Sequence, residues 1–399
     1  MNWLSERVLH MAESETLAMA RMSRELKAQG HDVINLSLGE PDFDTPAFIK
    51  DAAKKAIDEN YTHYTPVAGY DELLEAISTK FKRDNQLNYS KQQILVSTGA
   101  KQCIANVMLA ILNKGDEVIV PSPYWVSYRE IIKLAGGVSV EVYAPIEMDF
   151  KVTPEQIKNA ITPNTKAIIF SSPSNPTGSL YTHDELQSIA KLLAEYPHIV
   201  VISDEIYELI NFQGDHVSIG TFPGMDKQVV TINGLSKGFA MTGWRLGYMG
   251  APADIAAACI KIQGQFTSAT CSITQRAAIT ALKADPKEMD YMKHAFLKRR
   301  DLMYSLLQQI DGIKLNLPPG AFYFFPDVAS YFGSSFSDKV IQNADDLCMY
   351  LLNHAHVATV PGSAFGAPDY IRLSYATSEE QLVKAIDRIK SALSQLKKV

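Results

Sequence analysis

Ile199-Val-Val-Ile-Ser-Asp-Glu-Ile-Tyr207 opens with four apolar residues and then turns acidic at Asp204 and Glu205. A strand with no polar alternation is covered on both faces, as in a parallel sheet between helices. Its last residue, Asp204, then falls at the carboxyl end, where open α/β sheets bind their ligands. Six further runs share this texture: Ile94–Ser97, Glu117–Val120, Ser139–Val142, Ala167–Phe170, Val229–Ile232 and Leu246–Met249. Turns and helical periods separate them, which predicts a mostly parallel seven-stranded sheet with flanking helices.

The flanks differ. Leu4, Val8, Met11, Leu17, Met22 and Leu26 follow a loose helical period that predicts a helix over 4–29, stopped by Gly30. Val33–Asp44 reads as a strand running into a turn, with Gly39 either a turn glycine, the safer reading, or a point of close approach to a ligand. Thr45-Pro46 opens a helix to about Glu59, and Tyr61–Gly69 is an aromatic loop. After about residue 285 a charged helix, short strands around 357–360 and 370–374 and a final helix predict a smaller α+β domain. The expected division is 1–47, an N-terminal segment joining the small domain, 48–285, the large domain, and 286–399, the small domain.

The chain has 399 residues, 46% of them apolar, and a net charge of -6. It can bury a large core, and it has no basic footprint for nucleic acid. The opening residues lack an apolar signal core and no run approaches bilayer length, so the expected setting is cytoplasmic, without membrane partners. Cys103, Cys259, Cys271 and Cys348 form no CxxC pair and read as buried apolar residues, with no metal expected.

Most candidate chemistry falls at strand ends. Lys237, in Asn233-Gly-Leu-Ser-Lys-Gly238, has little bulk around its amine; it suits a Schiff-base lysine as well as a surface loop. Ser97-Thr-Gly-Ala100 leads into a helix whose free amides could bind a phosphate, or it is an ordinary strand-to-helix turn. Neither GxGxxG nor GxxxxGK[ST] occurs, which argues against dinucleotide and P-loop sites. Trp125 can stack on a flat heteroaromatic ring or pack in the core, and Asn175 offers an amide fixed between prolines. Asp204 needs a cationic partner if buried, which a protonated pyridine nitrogen would supply, with the Tyr207 hydroxyl near a phenolate oxygen. Glu205 reads as a cap of the next helix.

The ordered set Gly39-Glu-Pro-Asp-Phe43, Asn175-Pro-Thr-Gly178, Asp204-Glu-Ile-Tyr207, Ser236-Lys237 and Arg372-Leu-Ser-Tyr375 resembles the class I/II aminotransferases of pyridoxal 5'-phosphate (PLP) fold type I, most closely those of bacterial aspartate type. The resemblance covers nearly the whole chain. It implies that Lys237 carries PLP as a Schiff base, that Asp204 pairs with the pyridine nitrogen, that Tyr207 and Asn175 bond the ring oxygen, and that Trp125 stacks on the ring. Gly99, Ala100 and Arg245 would hold the phosphate, with Tyr64 reaching the phosphate of a neighbouring subunit in a homodimer. Arg372 would grip the substrate α-carboxylate, with Gly39 contacting it through its backbone. The implied reaction is ping-pong transfer of an amino group from aspartate, or a similar amino acid, to 2-oxoglutarate.

The chain departs from the family pattern in places. Gly234 stands where many members carry a phosphate-binding serine, a loss for which Ser236 is the candidate compensation. Gln265–Ser272 lacks the arginine that animal-type members use for the distal carboxylate; that task falls to Lys101, with Ser14 or Thr16, unless Lys101 faces the phosphate or solvent. Ala12-Glu13 differs from a Lys-Pro pair of some relatives. Aromatic amino acids, prephenate, or a carbon–sulfur lyase reaction are the alternatives.

Overall fold

A computed structural model describes residues 3–9, 11–13, 15–337 and 339–398. Its main sheet contains all seven expected strands: β1 Ile94–Ser97, β2 Glu117–Ser122, β3 Val138–Tyr143, β4 Thr165–Ser171, β5 Val200–Asp204, β6 Val229–Gly234 and β7 Gly247–Gly250. Their spatial order is β1-β7-β6-β5-β4-β2-β3. Pairing is parallel from β6 through β5, β4 and β2 to β3, and β7 lies antiparallel between β1 and β6. Every strand but β7 therefore points its carboxyl end to the same edge. Several run past their apolar cores because pairing continues there, as in Ser171 opposite Asp204.

Alternation along the strands separates two cores. Val118, Val120, Ala167, Ile169, Ile202, Val230 and Ile232 pack against one helical layer that includes Cys103, Val107 and Cys259. Ile119, Ile168, Val201 and Val229 face the other, with Ile157, Leu186 and Ile189. Both faces are thus apolar, which is why these strands read as continuous apolar runs. Among the described residues no helix is long and apolar enough to cross a membrane.

The remaining chain builds smaller sheets. Ile34–Asn35 pairs in parallel with Val357–Ala358, so the N-terminal segment is stitched to the C-terminal part. Strands Val360–Pro361, Ile371–Ser374 and Tyr323–Phe324 form an antiparallel set that carries Arg372. The expected helix over 4–29 is broken into Glu6–Leu9 and Glu15–Ala28. Leu4, Val8, Met11 and Leu17 are exposed, so their period meets no core that would hold one continuous helix. Helix Ala47–Asp58 starts as expected after Pro46, but the Thr45 hydroxyl donates to Ala240 O instead of capping it.

Two readings are corrected. Cys271 is exposed, whereas the other three cysteines are buried; it precedes helix Ser272–Lys283 and faces away from the packed side. Glu205 caps no helix. It is buried and accepts hydrogen bonds from Ser203 Oγ (2.9 Å) and Ser218 Oγ (2.6 Å), with His216 Nε2 at 2.9 Å. Alongside, Glu208 pairs with Lys80, and Asn85 Nδ2 donates to Glu208 at 2.7 Å. Burial alone would raise the Glu208 carboxyl, but Lys80 and His216 overcome it and hold it below its ordinary value. Glu205, Glu208 and His216 place ligand atoms within 4.8 Å of one another, and the Lys80 ammonium supplies a cation among them.

Removing one charge from such a buried set leaves the others uncompensated. Lys80→Met is expected to lower unfolding free energy by about 3–5 kcal/mol in urea denaturation; a value unchanged from wild type contradicts this account of the network.

Candidate active site

Among the described residues, all the candidates except Gly99 and Tyr64 line one cleft of about 340 Å³ at the carboxyl edge of the sheet. The topology explains the gathering. Ala100 follows β1, Trp125 follows β2, Asn175 follows β4, Asp204 ends β5, and Ser236 and Lys237 follow β6, while Arg245 precedes the reversed strand β7. Gly39 and Arg372 enter from the N-terminal and C-terminal segments.

Lys237 Nζ donates to Gly39 O at 2.5 Å and lies 5.9 Å from the centre of the Tyr207 ring. Burial pushes its pKa down to about 8, with Arg372 and Arg245 adding to the shift against the opposing charges of Glu40 and Asp204. Gly39 is required by close approach and not by a turn: a Cβ there would collide with the Tyr323 hydroxyl. The close neighbour is a side chain of the same chain, a cause that neither the turn reading nor the ligand reading contained.

Asp204 is buried, and its oxygens take hydrogen bonds from neutral donors, Tyr128 OH at 2.7 Å and Ile206 N at 3.3 Å. Burial is the main reason its pKa is pushed up to about 6. Among the described residues no cation forms an ion pair with it, so it keeps the capacity to accept a proton-bearing cationic nitrogen. Tyr207 and Tyr323 share a hydrogen bond of 2.7 Å between hydroxyls beside it.

A second corner is built for an anion. Gly99, with φ of +89°, precedes helix Ala100–Ile111, and a Cβ on it would sit 2.5 Å from Arg245 Nη2. Arg245 Nη1 donates to Thr242 O at 2.8 Å, which fixes the guanidinium over the free amides of the helix start. Gly234, the departure from the family pattern, has a steric cause: a Cβ would lie 3.0 Å from both Gly247 Cα and Leu246 O, where β6 and β7 pack closely.

Arg372 is buried, donating through Nη1 to Asn175 Oδ1 (2.9 Å) and through Nη2 to Ser37 O (2.5 Å). Its Nε is buried without a hydrogen-bond partner, and burial holds its pKa below the usual arginine range. Tyr323 and Phe365 flank the guanidinium at 4.7 and 5.0 Å. At the mouth, Lys101 Nζ lies 4.9 Å from the Trp125 ring centre, and desolvation, then the Arg245 charge, lowers its pKa. Thr16 lines the same cleft, whereas Ser14 lies outside the described residues.

Tyr64 is fully exposed on its loop and does not reach the cleft of its own chain. Sequence reasoning missed Tyr128 and Tyr323. Tyr128 lies three residues after Trp125 on an inward helical face, a spacing that carries the signal; Tyr323 sits in Ala321-Phe-Tyr-Phe-Phe325, where one aromatic looks like the next.

A family model for aminotransferase class I and II matches residues 31–389. Aspartate/prephenate aminotransferase from Nitrosomonas europaea is 46% identical over 98% of this chain and all of that protein. The crystal structure of aspartate aminotransferase from Rhizobium meliloti superposes with a TM-score of 0.96 at 40% identity, covering 99% of this chain and all of that one. A Thermus thermophilus aspartate aminotransferase solved with maleate gives a TM-score of 0.92 at 41% identity over 98% of this chain and all of its own. The chain belongs to the class I and II aminotransferase family, and it is accordingly a PLP-dependent aminotransferase of fold type I. The donor set fits that cofactor: a depressed lysine amine, a buried carboxylate held by neutral donors, and an arginine over a helix start.

The lysine gives a pH-dependent signature. Its folded pKa, near 8, lies below its ordinary 10.5, so the unfolded chain binds more protons between those values and stability rises with pH across that window. In the cofactor-free protein, Lys237→Met is expected to be more stable than wild type at pH 7 by roughly 1–3 kcal/mol. The gain should fade from pH 8 upward and vanish near 10.5; a constant difference across this range contradicts a depressed Lys237.

Proposed function

We propose that the chain moves an amino group from L-aspartate to 2-oxoglutarate by a ping-pong mechanism in this cleft, working as a homodimer. The observation that carries the reading is a pair of cations, Arg372 and Lys101, on one cleft with no acidic partner for either among the described residues. Two such cations suit a substrate with two carboxylates.

Each residue then has a task. The Arg372 fork binds the α-carboxylate, its plane set by Asn175 and Ser37 O, and the backbone at Gly39 closes over it. Lys101 takes the distal carboxylate, with Thr16 beside it. Ala100 at the helix start, next to Gly99, and Ser236 and Arg245 would hold the cofactor phosphate, Trp125 would pack against the ring, and Tyr207 and Asn175 would bond its oxygen. Asp204, held by Tyr128, would pair with the ring nitrogen and favour its protonated form. When bound, PLP supplies a cationic ring that accepts the electron pair released at the substrate Cα. Lys237, once the substrate amine has displaced it, is uncharged for part of the time at neutral pH because its amine is desolvated, and would remove the Cα proton as general base.

A second copy completes the site through Tyr64, whose exposed phenol has no task within its own chain. The division at 47 and 285 and a cytoplasmic setting belong to the same proposal, supported by the family resemblance. Prephenate is a second acceptor to consider, supported by the activity for which the Nitrosomonas relative is named.

Steady-state kinetics with aspartate and alanine test the assignment. Lys101→Ala should cut kcat/KM for aspartate by about 10–100-fold, the worth of one charged hydrogen bond, and change alanine by no more than about twofold. Arg372→Ala should depress both substrates together. Equal loss for aspartate and alanine in Lys101→Ala would contradict the dicarboxylate reading.

A further inference from the structure

Two glutamines far apart in sequence are completely buried and grip one loop. Gln263, on helix Ala253–Phe266, donates through Nε2 to Val67 O (3.1 Å) and Val96 O (2.9 Å), while its Oε1 accepts from Ser97 Oγ (2.6 Å) and Asn106 Nδ2 (3.0 Å). Gln275, on helix Ser272–Lys283, accepts from Tyr70 N (2.8 Å) and donates to Thr65 Oγ1 (3.0 Å) and Thr270 O (2.9 Å). The first turn of that helix adds two more holds. Ser272 Oγ donates to Tyr61 O at 2.6 Å, and the Arg276 guanidinium lies 4.5 Å from the Tyr61 ring centre. Gly69, with φ of +118°, lets the loop close down, since a Cβ there would meet Gln275 Oε1 at 3.3 Å and Val96 Cγ2 at 3.1 Å.

Residues 61–70 are therefore fastened at Tyr61 by the Ser272 hydroxyl and at Thr65, Val67 and Tyr70 by buried side-chain amides, yet the loop projects a fully exposed aromatic, Tyr64, between these holds. Fully satisfied buried amides resist displacement, because breaking any one bond strands a desolvated polar group. Gln263 also binds Ser97, at the end of the strand that opens the anion corner, so loop and corner share one brace. Such bracing has no use for a phenol that only meets water; it suits one that must arrive already ordered at a partner.

We propose that Gln263 and Gln275 are positioning residues that hold the 61–70 loop rigid, so that the Tyr64 hydroxyl of one copy is presented, without further ordering, to the phosphate bound by a second copy. The inference rests on the homodimer reading given above. Gln275 acts through the loop: Thr65 and Tyr70 both follow Tyr64, while Ser272 holds Tyr61 before it, and losing the two Gln275 bonds frees the following side of the tip while leaving the phenol chemically intact.

The test measures PLP release from the holoenzyme, by absorbance after dilution into an excess of an apo-aminotransferase trap, for wild type, Tyr64→Phe, Gln275→Met, Thr65→Val and the double variant Tyr64→Phe/Gln275→Met. Thr65→Val removes one of the two loop-side partners of Gln275 and keeps the test open if Gln275→Met does not fold. Light scattering gives the oligomeric state, and hydrogen exchange of the 61–70 amides gives the loop rigidity. Each single variant is expected to speed release by about 10–100-fold, the loss of one hydrogen bond to a charged group. Gln275→Met and Thr65→Val should raise exchange across 61–70, and the double variant should release PLP no faster than the faster single one, because both changes remove the same contact. Effects that multiply in the double variant, or unchanged release from dimeric Gln275→Met and Thr65→Val, overturn the positioning role while leaving the dimer reading intact. A monomeric wild type, or a dimer in which Tyr64→Phe leaves release unchanged, overturns the Tyr64 contact and this proposal with it.

Discussion

The common direction of the strands is the constraint on which the site depends. With β7 alone reversed, the other six strands deliver their last residues to one edge. Residues scattered from 97 to 245 thereby meet in one cleft without long excursions of the chain. The reversal of β7 has its own consequence, because it brings Arg245 back to the same edge at the start of a strand. Parallel pairing requires helices on both faces, and the two apolar layers are what supply the stability for a polar, partly strained edge.

That edge is costly. A desolvated lysine, a carboxylate bonded only by neutral groups and a buried guanidinium with an unpartnered Nε all sit within a few residues of well-packed strands. Each would be more stable in water, and none is neutralised by its neighbours in the way that Lys80 and Glu208 neutralise each other. The contrast separates the two kinds of buried charge in this protein. The Lys80 set is balanced internally and supports the fold, whereas the cleft set is left open to groups that carry the opposite charge.

Much of this was legible in the sequence for a physical reason. Strands buried on both faces leave long apolar runs, so all seven were located, and the polar residues at their ends marked the edge. What was not legible depends on approach in three dimensions. Gly39 looks like a turn glycine until Tyr323 is seen against it, and Gly234 looks like a missing serine until β7 is seen beside it. Glu205 resembles a helix cap because no local pattern reveals that His216 and Ser218 fold back onto it. The period over 4–29 failed in the opposite sense: its apolar residues are present, but several face solvent, so they do not enforce a single helix. Tyr64 is the extreme case, since it is fully exposed within its own chain.

The central claim is that Lys237 and its neighbours perform the two halves of a transamination separately, with aspartate as donor. The most direct measurement is a single-turnover experiment on the PLP-loaded protein, with aspartate added alone and then 2-oxoglutarate. Oxaloacetate should form in an amount stoichiometric with active sites before any acceptor is present, glutamate should appear only after 2-oxoglutarate is added, and Lys237→Ala should give neither. Oxaloacetate that appears only when both substrates are present, or undiminished turnover in Lys237→Ala, would contradict the account.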